Sequence, residues 1–577
     1  MDRSQIVRAL QEMADLIEVE SESPFRARSF RAGARALDGL AEDFSELVES
    51  GRLREIRGIG ESLAGEILEI YQHGESRRYR QLLGTVPGGV RDMLRVSGLG
   101  PKKVRALWKK LGISGIDVLE KACSSGEVAS LSGFGTRSAE KILAAIEQLR
   151  SASGKFLIPQ AEVYVEALRE YLGRSGAVER LEVAGSYRRR KEIVKDLDFL
   201  VSTEDPERVG EHFSSWEGVV DVALRGSTKV SVRFENGLAA DLRMVRDEHF
   251  PFALAYFTGS KEHNTSLRAR AKELGFKLNE YGLFPEGKSE SLPLEDEAAI
   301  FRALGLAYIP PELREDFGEI DVAARGEVPA LVEDRDLRGV VHVHTTYSDG
   351  RASLEEMVDA ARQRGYSYLG ITDHSQSAFY AGGLREEDVV RQHEEIDRLN
   401  GELRGFRLFK GIESDIRPDG SLDYPPEVLD RFDFVVASLH SSLGQPEKQM
   451  TARVLRALED PHTTILGHAT GRLLLRREPA ALDMEQVLRA AAERGVAVEI
   501  NANPHRLDLD WRQGRRAREL GLHTCIAPDA HSPEGMDDVR YGVGISRKGG
   551  FEAARVINAR DADGFAEFIA RRKRPGR

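Results

Sequence analysis

The chain has 577 residues, enough for about three or four domains, and its 41% hydrophobic content belongs to a folded protein with no apolar run near the ~20 residues a membrane span requires. Met1 to Glu12 lacks the apolar core of a secretory signal, and with Cys123 and Cys525 as its only cysteines no disulfide framework is expected, so the reading is cytoplasmic. A net charge of -12 argues against a nucleic-acid binder as a whole, yet charge is segregated: between Arg95 and Lys155 eleven Lys or Arg face five Asp or Glu, and a phosphate backbone responds to the local field.

The first third reads as helices joined by glycine turns. Ile56-Arg-Gly58-Ile-Gly60, Val96-Ser-Gly98-Leu-Gly100 and Leu131-Ser-Gly133-Phe-Gly135 each precede an amphipathic helical pattern. All three resemble the helix-hairpin-helix motif. Their glycines permit positive φ and close approach of a phosphate, toward which the N–H groups of the next helix point. Lys102, Lys103 and Arg137 follow closely. Sequence-independent, salt-sensitive DNA contacts are expected from Gly58, Gly60, Gly98, Gly100, Lys102, Lys103, Gly133 and Gly135. The boundaries read as a helical hairpin domain over 1–84 and a fingers-like helical domain over 85–154.

Next comes a strand pattern with carboxylates. Gly185-Ser186 and Arg189 precede Asp196-Leu-Asp198-Phe, where alternation sets Asp196 and Asp198 on one face, about 7 Å apart, and Leu197 and Phe199 on the other. Asp241 lies in a further strand pattern, Leu238 to Val245. Three such carboxylates suit two Mg2+ or Mn2+ ions about 3.5–4 Å apart, the arrangement that activates an attacking hydroxyl and stabilises a leaving pyrophosphate. Gly185 and Ser186 allow backbone approach to a triphosphate, and Arg189 offers charge-assisted hydrogen bonds.

These residues resemble the nucleotidyltransferase palm of family X DNA polymerases, over 155–246. Further motifs continue the resemblance into a thumb-like nucleotide-selection domain over 247–318. Gly226-Ser-Thr-Lys229 is similar to a phosphate-contacting turn, and Tyr256-Phe257-Thr-Gly259-Ser260 to the motif that packs beneath the incoming sugar and disfavours a 2'-hydroxyl. Asn264 aligns with a minor-groove contact to the incoming base, Arg268 with a template contact, and Lys277 to Phe284 with the same thumb region. The resemblance implies gapped or nicked double-stranded DNA and dNTPs as partners. Two departures stand out. Lys195 occupies the position before the first aspartate, where the family usually has Gly. Glu66 stands where lyase-competent members carry a Schiff-base lysine, with Ser62 replacing a supporting lysine. A carboxylate cannot serve as an amine nucleophile, so strong lyase action through that site is not expected.

After a charged linker over 319–336, apolar runs and helical patterns alternate, which implies a parallel sheet. Six motifs follow such runs: His342-Val-His344, Asp373-His374, Glu413, His440, His468 and Asp529-Ala-His531. In barrels of this kind residues just after each strand share one mouth. His393, His462, His505 and His523 lie outside the motifs and read as structural. Nitrogen and carboxylate ligands without thiolates suit Zn, Mn or Fe.

The stretch 337–577 resembles the PHP domain that follows the polymerase core in many bacterial family X enzymes. That resemblance implies a distorted (β/α)7 barrel, with Val496 to Ile500 as its seventh strand. It implies three ions of Mn2+, Zn2+ or Fe2+: one on His342, His344, Glu413 and Asp529, a second bridged by Glu413 to His440 and His468, a third on Asp349, His374 and His531. Arg506 is a candidate for substrate phosphate, and Arg571 to Arg574 read as a solvated tail. The combined reading is a monomeric repair polymerase that fills short gaps, of base-excision type, and trims 3' ends or cuts abasic sites through its barrel. Two alternatives stay open: a nuclease whose palm only holds DNA, and a non-catalytic repair scaffold.

Overall fold

The computed structural model describes residues 3–21, 24–38 and 44–573, so Arg574 lies outside the described residues. It divides into two compact units, Met1–Ser153 and Gly154–Arg577.

The first unit is helical. Its longest elements are Arg3–Glu20, Pro24–Asp38, Glu61–His73, Pro101–Leu111 and Thr136–Ala152. One continuous core runs from Leu10 and Met13 through Ile67 and Ile70 to Val104, Leu107, Ile142 and Ile146. The helical regions expected over 1–84 and 85–154 therefore share a single apolar interior.

In the second unit the palm is a five-stranded sheet of β1 (Arg180–Val183), β2 (Asp196–Ser202), β3 (Val219–Arg225), β4 (Lys229–Phe234) and β5 (Ala239–Val245), ordered β1-β2-β5-β4-β3. Alternation in β2 sends Leu197, Phe199 and Val201 into a core with Val165, Leu168, Val209 and Phe213 from two covering helices. On the opposite face Leu200 is covered by Phe250, Ala253 and Leu254 of the helix Phe250–Thr258, while Asp196 is exposed and Asp198 half-buried. The thumb core gathers Phe252, Leu267, Ile300, Phe301 and Leu304. Part of the stretch read as a linker belongs to it: Glu319–Ala324 is helical, Ala323 packs into this core, and Glu319 takes a hydrogen bond from His263 Nδ1 at 2.7 Å. Charge alone hid that helix, because its apolar stripe is short.

The C-terminal part is a ring of seven parallel strands in chain order: β6 (Gly339–Val343), β7 (Tyr368–Ile371), β8 (Arg407–Asp415), β9 (Phe434–Ser438), β10 (Thr463–Leu466), β11 (Ala497–Asn501) and β12 (Thr524–Ala527). The ring nearly closes through a parallel bridge between Val343 and Ala530, with His344 N–H on the Ala530 carbonyl at 2.8 Å. Val341, Phe409, Phe434, Val436 and Ile465 fill the interior, joined by Phe565 of the terminal helix Ala562–Lys573. Among the described residues no helix is long and apolar enough to cross a membrane.

Candidate active sites

Parallel pairing of β2 with β5 sets Asp198 directly opposite Asp241, so a strand pattern and its distant partner converge on one patch. Burial, then the charges of Asp196 and Asp241, push the Asp198 carboxyl up to about 6. Asp241 accepts from Ser231 Oγ at 2.6 Å and pairs with Lys229 Nζ at 2.6 Å. Gly185 has φ +63°, and a Cβ there would meet Asp198 Oδ2 at 2.1 Å. Glycine at this position thus makes room for the Asp198 carboxylate. Ser186 follows on the one-turn helix Gly185–Arg188. Lys195, the departure before the first aspartate, is exposed, and the ion pair on the trio among the described residues is that of Lys229.

The residues expected to select the nucleotide lie where the palm meets the thumb. Tyr256 and Phe257 stand edge to face at 5.2 Å, and Arg243 lies over Phe257 at 4.3 Å. Asn264 Nδ2 donates to the Tyr256 carbonyl at 2.7 Å, and Arg268, exposed on the same helix Lys261–Glu273 as Asn264, donates to the Asn264 carbonyl at 3.2 Å. Gly259 has φ +68° and faces Arg189. The Arg189 guanidinium donates to Glu315 at 3.0 Å and to the Thr258 carbonyl. Glu315 also binds Lys191 at 3.2 Å and the buried barrel residue Lys548. Burial opposes its ionisation, but Lys548 and Arg189 outweigh that and hold its carboxyl at about 2.

The barrel brings all nine expected ligands together. His344, Asp349, His374 and His531 form one group, His342, His344 and Asp529 a second, His342, Glu413 and His468 a third, and His374, Glu413 and His440 a fourth. His344 therefore faces two of the expected ion positions, and Glu413 joins His342, His468, His374 and His440. Glu413 Oε1 lies 2.9 Å from His468 Nε2 and 3.1 Å from His440 Nε2, and Asp349 Oδ1 lies 3.3 Å from His531 Nε2. His342 Nε2, both ring nitrogens of His344, His374 Nδ1 and Glu413 Oε2 are buried without a well-aligned hydrogen bond and crowd against one another, His374 Nδ1 2.8 Å from Glu413 Oε2 and His344 Nε2 3.2 Å from Asp529. Lone pairs of imidazole and carboxylate that point at one another in a buried site are what coordination of cations satisfies. The set therefore fits transition-type metal ions. Backbone strain points to the same place, since His342 and Asp529 hold φ of 62° and 55°.

Three residues beyond the expected ligands complete this centre. Asp415 accepts from His440 Nδ1 at 2.5 Å and Glu499 from His342 Nδ1 at 2.7 Å, fixing each ring with its other nitrogen toward Glu413. A glutamate inside the apolar run Val496 to Ile500 was the available signal, because a charge in a fully buried strand needs a partner. Asp373 joins none of the four groups. Instead it accepts from Thr345, Ser348 and Gln392, pinning the loop that carries Asp349. Arg506 lies 3.5 Å from Asp529, and its Nη1 is buried without a hydrogen-bond partner.

The hairpins of the first unit repeat one geometry. Gly58, Gly98 and Gly133 have φ of 97°, 82° and 89°, which only glycine adopts at no cost. Gly60, Gly100 and Gly135 are the N-caps of the helices that follow, and a Cβ on any of them would meet nothing within 4 Å. Lys102, Lys103 and Arg137 are exposed, and Lys103 Nζ donates to the Gly98 carbonyl at 2.9 Å. Glu66 is partly buried and pairs with Arg78 at 3.4 Å, and Ser62 is exposed.

A carboxylate palm with its thumb, joined to a His/Asp/Glu phosphoesterase barrel and accompanied by glycine hairpins, defines a polymerase-plus-hydrolase class. Comparison with known proteins agrees. The chain matches a helix-hairpin-helix domain over 1–76, a SAM-like helix-hairpin-helix tandem over 90–148, the DNA polymerase beta thumb over 253–315 and the PHP domain over 341–503. It is 38% identical over 573 residues to the DNA polymerase/3'-5' exonuclease PolX of Bacillus subtilis (strain 168), covering 99% of this chain and 100% of that one. It is also 26% identical over 257 residues to a probable phosphatase of Thermoanaerobacter sp. (strain X514), covering 41% of this chain and 96% of the relative. A probable phosphatase of Acetivibrio thermocellus is 33% identical over 210 residues, 34% of this chain and 80% of the relative. The chain belongs to the PolX family, the family X DNA polymerases that carry a C-terminal PHP domain.

Proposed function

We propose that this chain is a DNA-directed DNA polymerase that fills short gaps in DNA repair and that its barrel acts as a metal-dependent 3'-5' exonuclease on DNA ends. The observation that carries this reading is that one chain keeps both centres complete, the register-paired Asp198 and Asp241 with Asp196, and all nine barrel ligands. In the palm the three aspartates would hold Mg2+ or Mn2+, ions that activate the primer hydroxyl and offset charge on the leaving pyrophosphate. Asp241 accepts the hydroxyl proton. Gly185, Ser186 and Arg189 receive the triphosphate together with Lys229, Tyr256, Phe257 and Gly259 support the sugar, and Asn264 and Arg268 contact base and template. The hairpin N–H groups, with Lys102 and Lys103, grip phosphates of gapped or nicked duplex without reading sequence.

In the barrel Mn2+, Zn2+ or Fe2+, three ions in all, would make bound water nucleophilic at neutral pH. Asp415, Glu499 and Asp373 keep the ligands oriented, and Arg506 neutralises the phosphate under attack. The chain works as a monomer in the cytoplasm, where Cys123 and Cys525, both buried and free, remain reduced. A labelled gapped duplex with four dNTPs and Mn2+ tests the reading. Extension that fills the gap is expected. Shortening without extension would leave a nuclease whose palm only holds DNA.

A further inference from the structure

The turn that follows Gly185-Ser186 carries five charged residues in a row, Arg188 to Glu192. Thumb and barrel cover it. Helix Val539–Lys548 of the barrel part touches the palm at both ends: near its start Tyr541 Oη donates to Glu162 Oε2 at 2.6 Å, and at its last residue Lys548 Nζ donates to the Arg189 carbonyl at 3.0 Å. The same ammonium donates to the Glu312 carbonyl at 3.2 Å and to Glu315 Oε1 at 2.5 Å, so all three of its protons go to palm and thumb atoms. A buried ammonium needs such partners to offset its lost hydration, and each of these belongs to the polymerase part. Glu315 passes the contact on. Its Oε1 also accepts from Arg189 Nε at 3.0 Å, and its Oε2 lies 3.2 Å from Lys191 Nζ. Arg189 Nη1 donates to the Thr258 carbonyl, whereas Nη2 donates to none of the described residues. Trp511 closes the junction from the barrel side, with Lys548 and Lys191 over its ring at 4.8 and 5.2 Å and Phe317 edge-on at 5.2 Å.

A guanidinium meets phosphate through fixed, planar donors, so its affinity depends on the plane being set before the ligand arrives. We propose that Lys548, a residue of the hydrolase barrel, is a positioning residue for nucleotide addition in the palm, holding the Arg189 guanidinium toward the triphosphate of the incoming dNTP. It acts twice, through the Glu315 carboxylate and through the Arg189 main chain. It also offsets the Glu315 charge, which would otherwise cancel part of the Arg189 field. This rests on the assignment of Arg189 to the triphosphate.

The test compares the full chain with Lys548→Met, Arg189→Ala and the double variant in gap filling with Mg2+ as the concentration of one dNTP is varied, each sample being assayed for 3'-end trimming as well. Misplacing a binding group by a small distance costs up to about 100-fold, and Lys548 acts one contact removed. Lys548→Met should therefore raise KM for the dNTP by about tenfold and leave kcat and trimming within about threefold. A merely structural loss would lower kcat and trimming together with KM unchanged, because the molecules still folded bind as before. In the double variant KM should rise no further than in Arg189→Ala, since Lys548 works through Arg189. An unchanged KM in Lys548→Met, or effects that multiply in the double variant, would overturn the proposal. Should Lys548→Met lose trimming too, Lys548→Gln, which keeps an N–H donor without the charge, carries the same comparison. An unchanged KM in Arg189→Ala would instead overturn the triphosphate role of Arg189, and the proposal with it.

Discussion

The palm and the barrel both gather carboxylates for cations, yet they solve the repulsion problem differently. The palm spreads three aspartates over an open sheet face, lets water reach Asp196, and answers them with Lys229 and the Ser231 hydroxyl. The barrel buries Glu413 and Asp529 among six histidines and backs two of those rings with further carboxylates. An open site exchanges ions and substrates readily and depends on the surrounding metal concentration. A buried, pre-oriented site holds its ions through the ligand shell. On this comparison the palm should exchange its metal readily, whereas the barrel should retain its own.

The strongest way to break the comparison is to separate the two activities. Asp198→Ala should lower primer extension by ~10³-fold or more, because metal stabilisation of the transition state is worth several kcal/mol, and leave 3'-end trimming intact. His344→Ala or Asp529→Ala should do the reverse. Gel assays of one labelled substrate read both outcomes, and joint loss in either variant would mean that the sites are not independent. A smaller effect is expected from the outer carboxylates. Asp415→Asn or Glu499→Gln should weaken metal activation of the barrel by about 10–100-fold, visible in a Mn2+ titration of trimming, with extension unaffected. If neither titration shifts, ring orientation by these carboxylates does not matter.

The difference between the sites also explains what could be read from the residues alone. Eight of the nine ligands are short motifs after apolar runs, which strand order and the common mouth of a parallel barrel bring together, whereas Asp349 and the grouping of the ligands came from the resemblance to the PHP domain. The trio is visible because Asp196 and Asp198 alternate with Leu197 and Phe199. What escaped was held by contacts distant in sequence. Glu499 shows its role only when β11 lies in the ring with β6, Glu315 only when thumb, palm and barrel meet at Lys548, and the helix Glu319–Ala324 only when Ala323 finds the thumb core. Asp373 sits beside a ligand and carries the right chemistry, but its strand end turns it toward Thr345 and Ser348.

Acid sharpens the contrast next. With its carboxyl pushed up to about 6 by burial and by its two neighbours, Asp198 is protonated below that pH and ionised above it. A carboxylic acid must lose its proton to bind metal. Half-saturating Mg2+ for extension should therefore stay level above about pH 6 and rise about tenfold for each unit below it, as expected for one proton competing with one ion. Mg2+ titrations of gap filling from pH 5 to 8 measure this, and a level response throughout would show that the trio does not repel as its geometry demands.

The smallest effect concerns Lys195. Its place before the first aspartate suggests interference with the trio, and a cation there would compete with a divalent ion for the same oxygens. The side chain is exposed, however, and the ammonium that reaches the carboxylates is that of Lys229, 2.6 Å from Asp241. An exposed substitution away from packing and pairing typically changes free energy by no more than about 0.5 kcal/mol, which is roughly twofold in rate. Lys195→Gly should accordingly leave kcat for gap filling and its Mg2+ dependence within about twofold of wild type. Lys229→Met offers the contrasting case, since it removes a charge in direct contact with the trio and should shift the Mg2+ dependence. If Lys195→Gly shifted that dependence as far as Lys229→Met, both lysines would be acting on the carboxylates, and the palm would be less open than its sheet face implies.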